Sequence, residues 1–341
     1  MASQSERIVD LARIHHLRGN IYFPLGKMEQ CLAEHQTSLE FAQKARSTVD
    51  EARAEGGLCD AYYMRGQMRA AHQHVESCIE LCREHGFEVI ETAYLPMRAT
   101  THLYALRFAE ALEDCRLALD MAERVGQPRS EIIALNTKIF ISLDQHDFAQ
   151  AEEDSHRAAE LMEKIGARRF VPLCNHGIAL ARLSRGDRQG ALELLETSLI
   201  VARETGITFW GPIVWGVIAI TSSDPQRRHD ALRQGQALLD RGCVSHNYFW
   251  FYRDAIEVSL AMKEWDQADR YATALEQYFR EEPMPWPSFL VVRGRALAAI
   301  GRGTGTKALL EQIQRLRDEA VRFGMQSELG LLETALQCSL I

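Results

Sequence analysis

The chain has 341 residues, of which 39 are basic and 47 acidic, giving a formal net charge of −8. Apolar residues make up 46% of the sequence and charged residues 25%, as in an ordinary globular protein. No run rich in lysine or arginine is present, so the composition argues against nucleic-acid binding, which depends largely on phosphate contacts.

A column of small residues recurs along the chain with a period of 40 residues. Around Ala111, apolar residues return every three or four positions from Phe108 to Ala122, as in an amphipathic helix, and Gly126 supplies a stop. A fixed period of this length indicates a solenoid of helical repeats. The column consists of Cys31, Ala71, Ala111, Ala151, Ala191 and Ala231, and the middle four members are followed 15 residues later by Gly86, Gly126, Gly166 and Gly206.

We therefore expect one all-α domain, a right-handed superhelical solenoid of about eight helical hairpins. The column places the first units, and looser matches place the units beyond Gly206. The predicted units span 8–46, 47–86, 87–126, 127–166, 167–206, 207–243, 244–282 and 283–325, and a C-terminal capping helix spans 326–341.

The first unit carries the spacing of the tetratricopeptide repeat (TPR) in Gly19, Tyr22, Gly26, Met28 and Cys31. In such a unit, small residues let two helices cross closely, an aromatic residue fills the gap and a glycine turns the corner. The second unit matches at Cys59, Tyr62, Gly66, Met68 and Ala71, whereas Leu106 and His146 replace the corner glycine in units three and four. The chain resembles TPR proteins, and its long period resembles the variant repeats of MalT-type transcription activators and related signal-transduction ATPases.

The repeat is less regular beyond Gly206. The longest apolar run, Phe209 to Ile220, has twelve residues, too few for a membrane span of about 20, and we interpret it as a buried helix. Prolines at 283, 285 and 287 predict a non-helical start for unit eight. The tail places Leu329, Leu332, Leu336 and Leu340 on one helical face, which we expect to cap the last repeat; a homodimer contact through this helix is the alternative.

Several segments carry a second resemblance. The sequences at 12–20, 211–216, 245–251 and 285–297 resemble the C-terminal repeat region of bacterial class III adenylate and guanylate cyclases, in which a cyclase domain precedes a P-loop ATPase module. This resemblance implies a regulatory region of a bacterial signalling protein. The phosphate-binding motif Gly-x-x-x-x-Gly-Lys-Ser/Thr does not occur in the sequence, so the ATPase module is not expected within it.

The eight cysteines and twelve histidines form no recognisable catalytic or metal motif. Cys31, Cys59 and Cys78 stand at small-residue positions of the repeat, which predicts core cysteines of a reduced, cytoplasmic protein. His72 and His74 are two residues apart and point to different faces of their helix. We therefore expect no enzyme activity, no cofactor and no bound metal.

The candidate partner-binding residues are those that the register places on the first helix of each unit, which faces the concave surface of a TPR array. Aromatic and arginine side chains dominate this set, and both are typical of recognition surfaces. The alternative is that Tyr63 and Trp250 only fill space between helices, and that Arg253 pairs with Glu257 on its own helix. The candidates are Arg53, Tyr63, Tyr104, Asn136, His176, Trp250, Arg253, Glu257 and Arg293.

The resulting hypothesis is a non-catalytic interaction or sensor scaffold that binds a protein or peptide partner in its groove. The alternative is a module that binds a small effector, or a hydrolytic enzyme, in the aromatic-rich region 209–293.

Overall fold

Helices joined by short turns account for nearly all of residues 4–338, the part of the chain that this computed structural model describes. Within these residues there are seventeen α-helices, two single-turn 3-10 helices and no strand, so the predicted all-α solenoid is confirmed. The α-helices are α1 Gln4–Tyr22, α2 Met28–Ala45, α3 Thr48–Met64, α4 Met68–His85, α5 Glu88–Tyr104, α6 Phe108–Val125, α7 Pro128–Asp144, α8 Phe148–Ile165, α9 Val171–Ser184, α10 Arg188–Thr205, α11 Ile207–Thr221, α12 Pro225–Leu239, α13 His246–Ala261, α14 Trp265–Tyr278, α15 Pro285–Gly301, α16 Lys307–Phe323 and α17 Leu329–Cys338.

Consecutive helices pack as hairpins, and we propose that each pair from α1–α2 to α15–α16 is one repeat unit. The small residues of the 40-residue column lie at the helix crossings, where Ala111, Ala151 and Ala191 are completely buried. Helices α8 and α9 are so close that a Cβ atom added to Gly177 would lie 2.2 Å from Ser155 Oγ. Small side chains are therefore required by the spacing of the helices.

The corner between the two helices of a hairpin requires a left-handed backbone. Gly66 and Gly186 adopt φ angles of +78° and +85° there. Leu106 and His146, which replace the corner glycine, adopt the same conformation with φ of +58° and +57°. Packing of the hairpin therefore imposes the left-handed conformation even on residues that have a Cβ atom, for which this conformation costs about 1–2 kcal/mol.

The start of the eighth hairpin differs from the expectation. Helix α15 begins at Pro285 and includes Pro287, so the prediction of a non-helical start holds at Pro283 but is wrong at Pro285 and Pro287. The first N–H groups of a helix have no partner within the helix, and proline loses nothing by lacking one there.

The C-terminal end is covered by α17, which packs on α16 and α15. Leu332 is completely buried and Ala335 is 6% exposed, so this helix packs its apolar face against the rest of the chain. Leu340 and residues 339–341 of the predicted capping helix lie outside the described residues, as does the side chain of Cys338.

The other seven cysteines are buried free thiols, which confirms their prediction as core residues. The apolar run at 209–220 lies in α11, and Trp210 there is 3% exposed. None of the helices between residues 4 and 338 combines the length and the apolar character that crossing a membrane requires.

Hairpins that are distant in sequence touch each other across the axis of the superhelix, so the array is closed at its centre. The Tyr63 hydroxyl of α3 lies 2.8 Å from His246 Nδ1 of α13. Trp250 Nε1, also in α13, donates to the Tyr104 hydroxyl of α5 at 3.2 Å. The array is therefore more than a chain of nearest-neighbour contacts.

Candidate functional site

The predicted groove is filled by aromatic side chains. Trp250 stacks on Phe140 with ring centroids 4.1 Å apart and contacts Trp286 at 4.5 Å. Tyr104 contacts Phe249 at 4.9 Å. Tyr104 and Trp250 are only 2% and 3% exposed. The expectation that they line an open groove is wrong, because side chains from opposite hairpins meet at the axis; partner binding by these residues stays a prediction.

Two further predicted residues take part in the same packing. Tyr63 is 9% exposed and, as described, contacts His246 across the axis. His176 packs against Phe140 at 5.1 Å and Trp210 at 6.0 Å, and burial lowers the pKa of His176 to about 3. An imidazole with so low a pKa is neutral at pH 7, so it behaves here as a flat packing group.

Arg253 lies inside a buried cluster of carboxylates. Its guanidinium is 3.3 Å from Glu328, 3.4 Å from Asp254 and 3.5 Å from Asp144. Its ring neighbour is Trp250, with the guanidinium carbon 5.6 Å from the ring centroid. Arg253 therefore joins the C-terminal turn that contains Glu328 to α7 and α13.

Arg293 is the second cation of this cluster and is 1% exposed. It pairs with Glu257, and its Nε lies 3.0 Å from Glu328. The predicted residues Arg253, Glu257 and Arg293 are thus brought together, but Glu257 pairs with Arg293 and not with Arg253. Glu328 joins the two arginines, and the sequence analysis missed it because a single acid before an apolar helix carries no distinguishing pattern.

Burial and the two arginines shift the pKa values of the three carboxyl groups in different directions. Burial raises the pKa of Asp254 to about 7 and that of Asp144 to about 6, although Arg253 opposes both shifts. Burial also acts to raise the pKa of Glu328, but Arg293 and Arg253 outweigh it and the net shift is downward. The cluster therefore holds hairpins together, because its arginines and carboxylates pair with one another.

The remaining two predicted residues lie away from this cluster. Arg53, on α3, donates to Asp50 Oδ1 at 2.7 Å and belongs to a network with Arg13 near the N-terminal end. Asn136 is half-buried on α7.

An exposed apolar stripe runs along α1 and the turn after it. Ile14, Leu17 and Ile21 are 49%, 59% and 59% exposed, and Leu11 and Leu25 extend the stripe to either side. These five make up nearly half of the large apolar side chains that are exposed within the described residues. Exposed apolar patches of this kind are typical of interaction surfaces.

The repeat register shows that this stripe occupies a position that is buried elsewhere. Gly57 and Gly177 are the counterparts of Leu17, and an added Cβ there would lie 2.1 Å from His35 Nδ1 and 2.2 Å from Ser155 Oγ. Both contacts belong to the second helix of the preceding hairpin, α2 and α8. The counterparts of Ile14 are Ala54, Tyr94, Ala134 and Cys174, with exposed fractions of 0%, 9%, 0% and 1%.

Comparison with known proteins supports the same architecture. A family model described as tetratricopeptide repeat matches residues 10–84. The solved structure of apo RapI superposes with a TM-score of 0.51 at 11% identity, covering 89% of this chain and 99% of that one. Aspartyl phosphate phosphatase F from Bacillus subtilis superposes with a TM-score of 0.61 at 15% identity, covering 80% of this chain and 72% of that one. The search of curated proteins found no match. Together, these likenesses show a TPR repeat region within an α-solenoid.

Proposed function

We propose that this protein is a non-catalytic interaction scaffold that binds an amphipathic helix of a partner protein on the exposed face of α1. The observation that carries the proposal is the exposure of Ile14, Leu17 and Ile21 at register positions that later repeats bury. A repeat face that met only water would be expected to be polar. Here that face is apolar, and burying it would release about 25 cal/mol for each Å² of apolar surface.

The repeat geometry favours a helix as the occupant. In the later hairpins this face of the first helix is covered by the second helix of the hairpin before it, as α2 covers α3 and α4 covers α5. Arg13 and Arg18 lie beside the stripe with 52% and 50% of their side chains exposed, so they present positive charge there even though they pair with Asp50 and Glu34 of this chain. A partner helix with an apolar stripe and flanking carboxylates fits both features.

The signalling role is a further part of the proposal. The resemblance to the repeat region of nucleotide cyclases supports a cytoplasmic module that controls the output of a signalling protein. The two alternatives receive less support. The aromatic side chains of region 209–293 are largely packed against one another at the axis, so little aromatic surface remains to bind an effector. Helix α17 buries Leu332 and Ala335 within the chain, which weakens its case as a dimer contact.

Site-specific photocrosslinking tests the docking surface. Benzoylphenylalanine replaces Leu17 in the full chain in cells, and the crosslinked partner is identified by mass spectrometry. We expect one partner, captured through a helix, and its purified form should bind Leu17→Glu at least tenfold more weakly than the original chain. Ile200, which is 55% exposed on α10, provides the matched control position for both the crosslinker and the glutamate.

Two results would contradict the proposal. One is equal capture from positions 17 and 200, which would mean nonspecific contact. The other is capture only of a second copy of this chain, which would make the stripe a homodimer contact; sedimentation of the Leu17→Glu variant as a monomer would identify that case.

A further inference from the structure

The structure brings together two histidines, one from α4 and one from α5. His72, near the start of α4, and His102, near the end of α5, have ring centroids 4.9 Å apart. The two residues lie at nearly equal distances on either side of Gly86, so antiparallel packing of α4 and α5 brings them together. Glu76 follows His72 by one helical turn, with its Oε1 3.8 Å from His72 Nε2. One ligand atom from each of the three residues lies within 4.8 Å of the other two.

From this geometry, we propose that His72, Glu76 and His102 form a binding site for a transition-metal cation of the Zn²⁺ type, linking α4 to α5. Two imidazoles and one carboxylate form a donor set that suits Zn²⁺. A tetrahedral Zn²⁺ with bonds of about 2.0–2.1 Å needs donor atoms about 3.3 Å apart, so the present separations must contract by side-chain rotation. A water molecule would complete the coordination.

Hydrogen bonding fixes the state of His72. The Thr101 hydroxyl donates to the carbonyl oxygen of Arg98 at 2.7 Å, so it can accept a hydrogen bond from His72 Nδ1, 2.8 Å away. The proton of the neutral ring therefore resides on Nδ1, and Nε2 presents its lone pair toward Glu76. An outer group that orients a ligating histidine in this manner is typical of metal sites.

His102 is held without a strong partner of its own. It is 8% exposed, its Nδ1 has no hydrogen-bond partner, and its Nε2 lies 3.6 Å from Asp114, beyond a good hydrogen bond. A buried imidazole that lacks partners is costly unless something binds it. Burial lowers the pKa of His102 to about 4 and also lowers that of His72, so both rings are unprotonated at neutral pH, as ligation requires.

Two features decide whether a cation can enter. Glu76 and His72 have side-chain exposures of 36% and 23%, which leaves a route from solvent. Arg98 opposes the cation, because its guanidinium is 3.3 Å from Glu76. Arg98 also makes two hydrogen bonds to Asp114, at 2.6 and 2.8 Å, so it keeps a full partner when Glu76 turns to a metal.

Titration of the full chain with Co²⁺, followed by Zn²⁺ competition, tests the site. We expect one Co²⁺ per chain with visible absorption bands, displacement by Zn²⁺, and no thiolate-to-metal charge-transfer band. Glu76→Gln and His72→Gln should each weaken Co²⁺ binding at least tenfold. Thr101→Val should weaken it about tenfold by freeing the His72 ring. His74→Gln is the matched control, because His74 also lies on α4 and contacts a carboxylate, Glu55, at 2.6 Å.

Other outcomes would overturn the proposal. Absence of saturable Co²⁺ and Zn²⁺ binding would do so, as would affinity that survives both Glu76→Gln and His72→Gln. A charge-transfer band would instead assign the metal to cysteines. Because Glu76 is a partly exposed surface residue, its substitution keeps the fold and leaves the test decisive even if the histidine variant misfolds.

Discussion

At the scale of single residues, His246 shows how burial at the axis makes stability depend on pH. Its Nε2 lies 2.5 Å from the carbonyl oxygen of Phe209 and its Nδ1 lies 2.8 Å from the Tyr63 hydroxyl. Since only an N–H can approach the carbonyl, Nε2 carries the proton and Nδ1 accepts from Tyr63. The neutral ring is fully bonded, and burial lowers the pKa of His246 to about 4.

A lowered histidine pKa means that the unfolded chain binds more protons between pH 6.5 and 4, so the stability contributed by His246 is lost as the pH falls through that range. We expect the difference in unfolding free energy between the original chain and His246→Gln to shrink by about 2–3 kcal/mol from pH 7 to pH 4.5. Urea unfolding at each pH measures this difference.

The comparison with His246→Gln is needed because other buried groups make the stability of both proteins change with pH in the opposite direction. Burial raises the pKa of Asp60 and Asp254 to about 7 and that of Asp144 to about 6. These carboxyls bind protons more readily when folded, so their contribution is present at low pH and lost as the pH rises from about 4 through 6–7. A pH-independent difference for His246→Gln would show that its ring is not buried neutral, and His229, which is partly exposed, supplies the control substitution His229→Gln.

At the scale of the hairpin, the corner turns give a prediction with opposite signs at two equivalent sites. His146 is exposed and holds φ of +57°, so His146→Gly should remove backbone strain and raise the unfolding free energy by up to about 1 kcal/mol. Leu106 holds φ of +58° but is only 7% exposed, so Leu106→Gly should lose more through exposure and cavity formation than it gains. Chemical denaturation of both variants measures the two effects, and a destabilising His146→Gly would show that the corner is not strained.

The sequence predicted the hairpins well because the determinants are local. The column of small residues and the glycines after it mark crossings and turns, and Ala111, Ala151 and Gly126 behave in the structure as their spacing indicates. The exception was the helix start at Pro285, where proline was treated as a breaker although the first turn tolerates it.

The binding surface was harder to predict, because it depends on how much each repeat rotates relative to the last. In the structure Tyr63, Trp250 and Arg253 pack toward the axis, but no local pattern states that hairpins four or five units apart meet there. The contact of His72 with His102 has a more local cause, the antiparallel packing of α4 and α5 around the turn at Gly86, but no motif within a single helix indicates it.

At the scale of the whole molecule, the contacts between distant hairpins across the axis change how the array should unfold. In an open solenoid each repeat contacts only its neighbours, so a substitution at Trp250 or Arg253 would leave the rest of the array folded. In the closed array, Arg69 of α4 donates through its backbone N–H to Glu282 at 2.9 Å, and Trp286 of α15 donates to Asp144 of α7 at 3.1 Å. These bonds join hairpins that are distant in sequence, so unfolding should be cooperative across them.

Trp250→Ala tests this cooperativity. The side chain is 3% exposed and contacts rings from α7 and α15, so we expect the unfolding free energy to fall by about 3–5 kcal/mol. Because Trp250 also donates to Tyr104, amide hydrogen exchange should accelerate in α5 as well as in α13, although some 145 residues separate the two side chains. Trp215→Ala on α11 is the control, since Trp215 is half-buried and its loss should act mainly within its own hairpin. Faster exchange confined to α13 and its sequence neighbours would mean that the axis contacts do not couple the hairpins, and the array would then behave as an open solenoid.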